Sequence, residues 1–213
     1  MTTETQSMEQ SVRYGVDSKT FAEFVDYAQA NPDDVQFELS AKGYWEGRAF
    51  HTLSKIGPYS LGGETIDRET RDYTFPFGAH KEVEAAMGFV GPDDRPEVIE
   101  TALAALSGCL SHVISLHLAA EGLEVETLET TVRIPWDPFV ALDIDDTETR
   151  DGTLRDQFGE LDIEIHVGGE SVTEETIERV RSAARRSAVY NLISLAHFAE
   201  PSVEKIAADS TVD

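Results

Sequence analysis

One thiol is available to this chain. Cys109 is the single cysteine among 213 residues, so no internal disulfide can form, and thiol chemistry of the chain's own must pass through that sulfur. Two readings of it stand side by side. A cysteine buried among apolar side chains is a small hydrophobe whose burial raises its pKa. The same cysteine beside a cation is held as thiolate and becomes a nucleophile. His112 follows one helical turn later and can share its face. A Cys-x-x-His pair supplies only two of the usual four metal ligands. The other histidines (His51, His80, His117, His166 and His197) are scattered, so neither a metal nor a cofactor is expected. Gly62-Gly63 lacks the helix and lysine of a phosphate loop. Neither Ser107-Gly108 nor Ser187 sits in a strand-turn-helix elbow. Trp45 and Trp136 read as packing residues.

The element that must position Cys109 is a long helix. Thr101 to Ala120 carries no formal charge, about the length that spans a bilayer. Its serines and histidines and its acidic flanks, Glu100 and Glu121, instead describe a helix buried in a soluble protein. The pattern predicts that helix over Glu97 to Glu121, stopped by Gly122 as a left-handed cap. Before it, Asp17-Ser18 caps a helix that Asn31-Pro32 ends. Alternation begins a strand at Val35, Trp45-Glu46-Gly47 turns it into Arg48 to Lys55, and Tyr73, Phe75 and Phe77 mark another strand. Gly57-Pro58 and Gly62-Gly63 punctuate a loop, and residues 78–95 read as irregular. After the helix come strands over Val125 to Ile134 and through Leu161, Ile163, Ile165 and Val167. A helix capped by Thr173 then carries acid first and arginines last, which suits its dipole. A short helix from Val189 to Ala199 and a strand over 203–206 close the chain.

This order describes an α+β domain with mixed or antiparallel sheets packed on a central buried helix. Residues 1–16 read as a flexible leader, 17–207 as one domain with an added helix at 17–31, and 208–213 as a tail. Ala102 to Leu118 are apolar or small on nearly every helical face, more than one sheet can cover, so a homodimer with this helix near its interface is expected.

Forty-one acidic residues against 17 basic ones give a net charge of −24. A chain with 40% hydrophobic residues is not a disordered acidic tract. A dispersed acidic surface with five lysines beside twelve arginines stays hydrated in concentrated salt, so a halophilic source is expected. Nothing basic is clustered to neutralise phosphates, so nucleic acid is not an expected partner. Met1 to Gly15 lacks an apolar export segment, which gives a cytoplasmic, non-membrane expectation.

Thr101-Ala-Leu-Ala-Ala-Leu-Ser-Gly-Cys-Leu110 resembles the first-cysteine helix of the OsmC/Ohr family of thiol peroxidases. Tyr44-Trp45-Glu46-Gly47 resembles the first hairpin of OsmC-type members. Arg185-Arg-Ser-Ala-Val-Tyr-Asn191 resembles the segment holding the family's second cysteine. The resemblance in element order spans roughly residues 35–207 and implies an intertwined homodimer. It implies that Cys109 is the peroxidatic thiol and that Ser187 stands where the resolving cysteine would be. It also implies a supporting glutamate ten residues before the cysteine, a position held by Ile99, with Glu100 beside it as the candidate. Trp45 stands where the family's hairpin has its supporting arginine, Arg48 and Arg71 are the nearby candidates, and Ser187, His112 and Arg48 are expected as lining. The function so implied is reduction of organic hydroperoxides in a stress response, with an external thiol or dithiol as reductant. A dimeric binding protein for a small hydrophobic ligand is the alternative, and a purely structural role a third.

Overall fold

The structure is a computed structural model that describes residues 12–138, 141–143, 157–195 and 201–205. It is an α+β protein in which every pair of named strands is antiparallel. The expected helix at 17–31 is α1 (Ser18–Ala30), with Asp17 accepting from the Thr20 N–H at 2.7 Å.

Ahead of it the leader is not loose throughout. Strands β1 (Val12–Arg13) and β2 (Val16–Asp17) form a hairpin whose turn residues, Tyr14 and Gly15, have φ of 48° and 80°. Arg13 pairs with Glu124, and the Tyr14 hydroxyl donates to the Val125 carbonyl at 3.0 Å. Those contacts fix the end of the leader. They could not be read from residues 12–16 alone because their partners lie 111 residues away.

A four-stranded sheet follows, from β3 (Phe37–Trp45), β4 (Thr52–Leu61), β5 (Glu64–Ile66) and β6 (Thr74–Phe77). β4 pairs with each of the other three. The expected loop at Gly57-Pro58 is strand instead. β3 shifts register between Leu39 and Ala41, opposite this dipeptide, and a bulge is where a sheet tolerates a residue without N–H. Ser40 donates its hydroxyl to the Pro58 carbonyl at 3.1 Å, and a Cβ on Gly57 would collide with it. Gly62 and Gly63, with φ of 57° and 80°, make the two-residue turn into β5.

Residues 78–95, expected to be irregular, contain the short helix α2 (Lys81–Ala86). Next comes α3 (Val98–Glu121), the expected long helix. Glu97 accepts from Ile99 N–H while Glu100 accepts from the Glu97 N–H, a capping box, and Gly122 ends the helix at φ 70°. β7 (Thr127–Arg133) pairs over its whole length with a later strand, β10 (Asp162–Gly168), while β8 (Trp136–Asp137) pairs with β9 (Gln157–Phe158). The chain then folds into α4 (Glu174–Ala184) and α5 (Ala188–Ser194). Residues 201–205 carry no regular structure where a strand was expected. Ile206, His197, residues 144–156 between the β7 and β10 regions, and the tail lie outside the described residues.

The core sits around α3. Leu106, Leu110, Ile114 and Leu118, spaced by four, form its buried stripe. Ile114 and Leu118 meet Val180 and Ala183 of α4, with Leu128, Ile165 and Val167 of the β7–β10 sheet against them. By length and composition α3 could cross a membrane, but here it is the core helix of the fold. Only one of the two larger sheets covers it. The β3–β6 sheet makes none of the substantial contacts with α3, which go to β7, α4 and α5. That sheet leaves Phe37, Leu39, Trp45 and Phe75 exposed, Leu39 to 75% and Trp45 to 72%, with Tyr73 exposed just ahead of β6.

Candidate functional site

Cys109 precedes Leu110 on α3, so it lies at the flank of the buried stripe and is half-buried. Facing it is the first turn of α5. Ser187 caps that helix with no exposed surface, its hydroxyl oxygen accepting the Tyr190 N–H at 3.2 Å. That oxygen's proton remains free to donate, and the Ser187 hydroxyl favours the ionised form of Cys109. The backbone N–H groups of Val189 and Ala188 add to it.

Burial alone would raise the thiol pKa. The Ser187 hydroxyl and the two N–H groups outweigh it, and the net direction is down. Among the described residues the groups that favour the thiolate are neutral donors, not the cation that a nucleophilic cysteine was expected to need. The expected pair of alternatives, an arginine or an apolar shell, therefore omitted the arrangement found.

Three of the other sequence candidates, Glu100, Arg48 and Arg71, are elsewhere in the chain's own fold, and a fourth, His112, follows the thiol by one turn. Glu100 is nine residues before Cys109, which puts it about 13 Å along the axis and on the opposite side. Its oxygens accept from the Glu97 N–H at 2.9 Å and meet His80 Nε2 at 3.2 Å. Its place in the first turn of α3 makes it a capping residue, and within one chain it cannot support the thiolate. Arg48 directs its guanidinium to Glu84 (2.8 Å) and to the carbonyls of Val90 (3.1 Å) and Gly91 (3.0 Å), over the ring of Phe89. Arg71 lies over Tyr59 and Tyr73. His112 is exposed one turn beyond Cys109, with its carbonyl accepting from Ser115.

A polar centre that sequence reasoning missed surrounds Glu84, which has no exposed surface. Its carboxylate accepts from Arg48, from His51 Nε2 at 2.6 Å and from the Asp93 N–H at 3.0 Å. An ionised carboxylate only accepts, so Nε2 of His51 carries a proton. Burial pushes this carboxyl up, but the Asp93, His51 and Arg48 hydrogen bonds bring it down to about 2. No local signal marked Glu84, because its side-chain partners Arg48 and His51 are 36 and 33 residues away.

Next to Leu110, the residue after the thiol, a groove of about 310 Å³ opens between β10, α4 and α5; its lining includes Ile163, Ile165 and Val180 and also Arg181, Arg185 and Tyr190. No group of side chains suited to hold a metal ion occurs among the described residues.

Among curated proteins none matches this sequence. Three solved structures resemble the fold. An organic hydroperoxide resistance protein, OsmC, from Legionella pneumophila is 13% identical, with 74% of this chain and 89% of that one covered, at a TM-score of 0.46. An organic hydroperoxide resistance protein from Elizabethkingia anophelis is 14% identical, with 75% and 89% covered, at 0.46. An OsmC-like protein from Mycoplasma pneumoniae is 15% identical, with 75% and 88% covered, at 0.42. The profile of the OsmC-like protein family matches residues 91–197, a segment that holds α3, Cys109, Ser187 and the elements between them. With half of its length so matched, the chain belongs to the OsmC-like family.

Proposed function

We propose that this protein is a one-cysteine peroxide-detoxifying enzyme, reducing organic hydroperoxides through Cys109. One observation carries the reading: the half-buried thiol sits on the helix that packs against α5, whose first turn, through Ser187 and the N–H groups of Ala188 and Val189, favours its ionised form. The thiolate attacks the distal peroxide oxygen, the O–O bond breaks, and the alkoxide leaves and is protonated to the alcohol. Sulfur is oxidised to a sulfenic acid. An external thiol then displaces water to form a mixed disulfide, and a second equivalent releases the Cys109 thiol. Ser187 cannot take the second cysteine's part, since it has no sulfur to give. Its role is to hold the thiolate.

The working unit is a homodimer. The exposed aromatic and aliphatic side chains of the β3–β6 sheet, together with Ala102, Ala104 and Ala105 on α3, form the kind of apolar surface that isologous subunits bury. Sizing should return about twice the 23.5 kDa chain mass.

The alternative, a binding protein for a small hydrophobic ligand, has the apolar groove beside Leu110 in its favour. The experiment that separates them is mass spectrometry of Cys109 after dilute cumene hydroperoxide, with dimedone as trap, and turnover with added dithiothreitol. Trapped sulfenic acid and turnover that Cys109→Ser abolishes support the enzyme. A thiol left unmodified by several equivalents of hydroperoxide refutes it and leaves ligand binding.

A further inference from the structure

We propose that a pocket between the C-terminal half of α3 and α4 is a binding site for a small oxyanion of the phosphate class, held by Arg186, Arg179, His117 and Ser182. The pocket has a volume of about 200 Å³ and is lined by His117 and Glu121 from α3 and by Arg179, Ser182, Ala183 and Arg186. That space is several times the ~30 Å³ share of one water.

The spacing builds it. His117 and Glu121 are four residues apart and share a face of α3. Arg179, Ser182 and Arg186 follow at three and four residues and share the facing side of α4 and its exit turn. Ala183, between them and almost wholly buried, brings the two helices close.

Charge gives the pocket its sign. Arg179 is already engaged by Glu121 through two contacts. Arg186 has no acidic partner among the described residues, and its own N–H serves the exit turn by donating to the Ala183 carbonyl. Burial, then the nearby Arg186 and Arg179 guanidiniums, hold the His117 imidazole below its usual pKa. The three basic groups thus lie close enough to repel one another, in a chain with 24 more acidic than basic residues. An oxyanion would convert that repulsion into attraction, accepting from Arg186, Ser182 Oγ and a protonated His117, with Arg179 shared with Glu121. Because Arg186, Arg179 and Glu121 are the charged groups that face His117 in this pocket, binding couples to its proton. The bound anion favours the imidazolium, so affinity increases as pH falls through the His117 titration.

The test uses the full chain at constant ionic strength. Inorganic phosphate is titrated while the His117 ring resonances, assigned by a His117→Asn variant, are followed across pH. The expected result is a saturable shift confined to His117, a titration midpoint moved upward by phosphate, and at least tenfold weaker binding in Arg186→Gln. Arg186 is exposed, so that variant is expected to keep its fold, which circular dichroism checks. Glycerol 3-phosphate run in parallel separates two sources of the same chemistry: tighter binding assigns the site to a phosphorylated ligand, and equal or weaker binding to free phosphate. A linear shift shared by His112 and His166, or a response unchanged in Arg186→Gln, overturns the site. Cys109 alkylation is read in the same samples and stays constant, so this result is independent of the peroxidase reading.

Discussion

Replacing Ser187 with cysteine tests the geometry at the thiol directly. Ser187, at the start of the helix packed on α3, acts on the Cys109 thiol, so a cysteine at that place should be able to reach its partner if the Cα atoms lie within about 7 Å. The two positions are 78 residues apart in sequence. Closing a loop of that length removes denatured-state entropy worth at most ~4.5 kcal/mol, of which native strain takes back a share, leaving about 2–4 kcal/mol. The reduced variant should be less stable than the wild type by ~1 kcal/mol, because Ser187 also caps α5 through Tyr190. Oxidised and reduced Ser187→Cys should therefore differ by about 5–15 °C in melting temperature. The assay is thermal and urea unfolding of both forms, with the disulfide identified by the loss of two hydrogen masses and by thiol titration. A variant that keeps two free thiols under mild oxidant, or that forms the bond with no gain in stability, would refute the adjacency of Cys109 and the α5 cap.

Three further outcomes follow from the same contacts. Ser187→Ala should move the pH profile of Cys109 alkylation upward and cost ~1 kcal/mol through the lost cap; an unmoved profile would remove the hydroxyl from the account of the thiolate. Glu84 has a folded pKa of about 2 against 4.5 unperturbed, so its contribution is complete above pH 4.5 and disappears as pH falls towards 2. Acid unfolding followed by circular dichroism should accordingly be less steep in Glu84→Gln, and superimposable curves would contradict this. Finally, melting temperature should rise from low to molar potassium chloride, as the screening length falls to ~3 Å and repulsion within a −24 chain is relieved; a flat or falling response would remove the reading of a salt-adapted surface.

What could be read from sequence was whatever local chemistry decides. α3 was legible end to end because its start is a capping box within four residues and its stop is a glycine able to take φ 70°. β7 and β10 alternate cleanly because one face meets the core and the other water. The missed features are settled by distant partners. Pro58 reads as a loop until the bulge of β3 is placed opposite it. Glu84 reads as one acid in an irregular stretch until Arg48, His51 and the Asp93 N–H surround it. Glu100 was chosen for its nearness to the family's glutamate position, and the half-integral number of turns to Cys109 turns it away. The meeting of Cys109 with Ser187 was accessible only through family resemblance, since no local pattern joins positions so far apart.

Between α3 and β7 the apolar contact contains one polar knot. Thr130 donates its hydroxyl to the Ser107 carbonyl at 3.0 Å, Ser111 donates to the same carbonyl at 3.1 Å, and the two hydroxyls are 3.0 Å apart. A helix rich in alanine and leucine offers a smooth surface, on which a slide of one turn would replace one small apolar group by another at little cost. Thr130 removes that degeneracy: after any such slide its hydroxyl would lose both the Ser107 carbonyl and the Ser111 hydroxyl, while Ser111 keeps the carbonyl of its own helix. The yield is uniqueness of alignment rather than added stability, as with single polar residues in coiled-coil seams. Cys109, two residues beyond Ser107, takes its place opposite the α5 cap from a helix that can dock in one way.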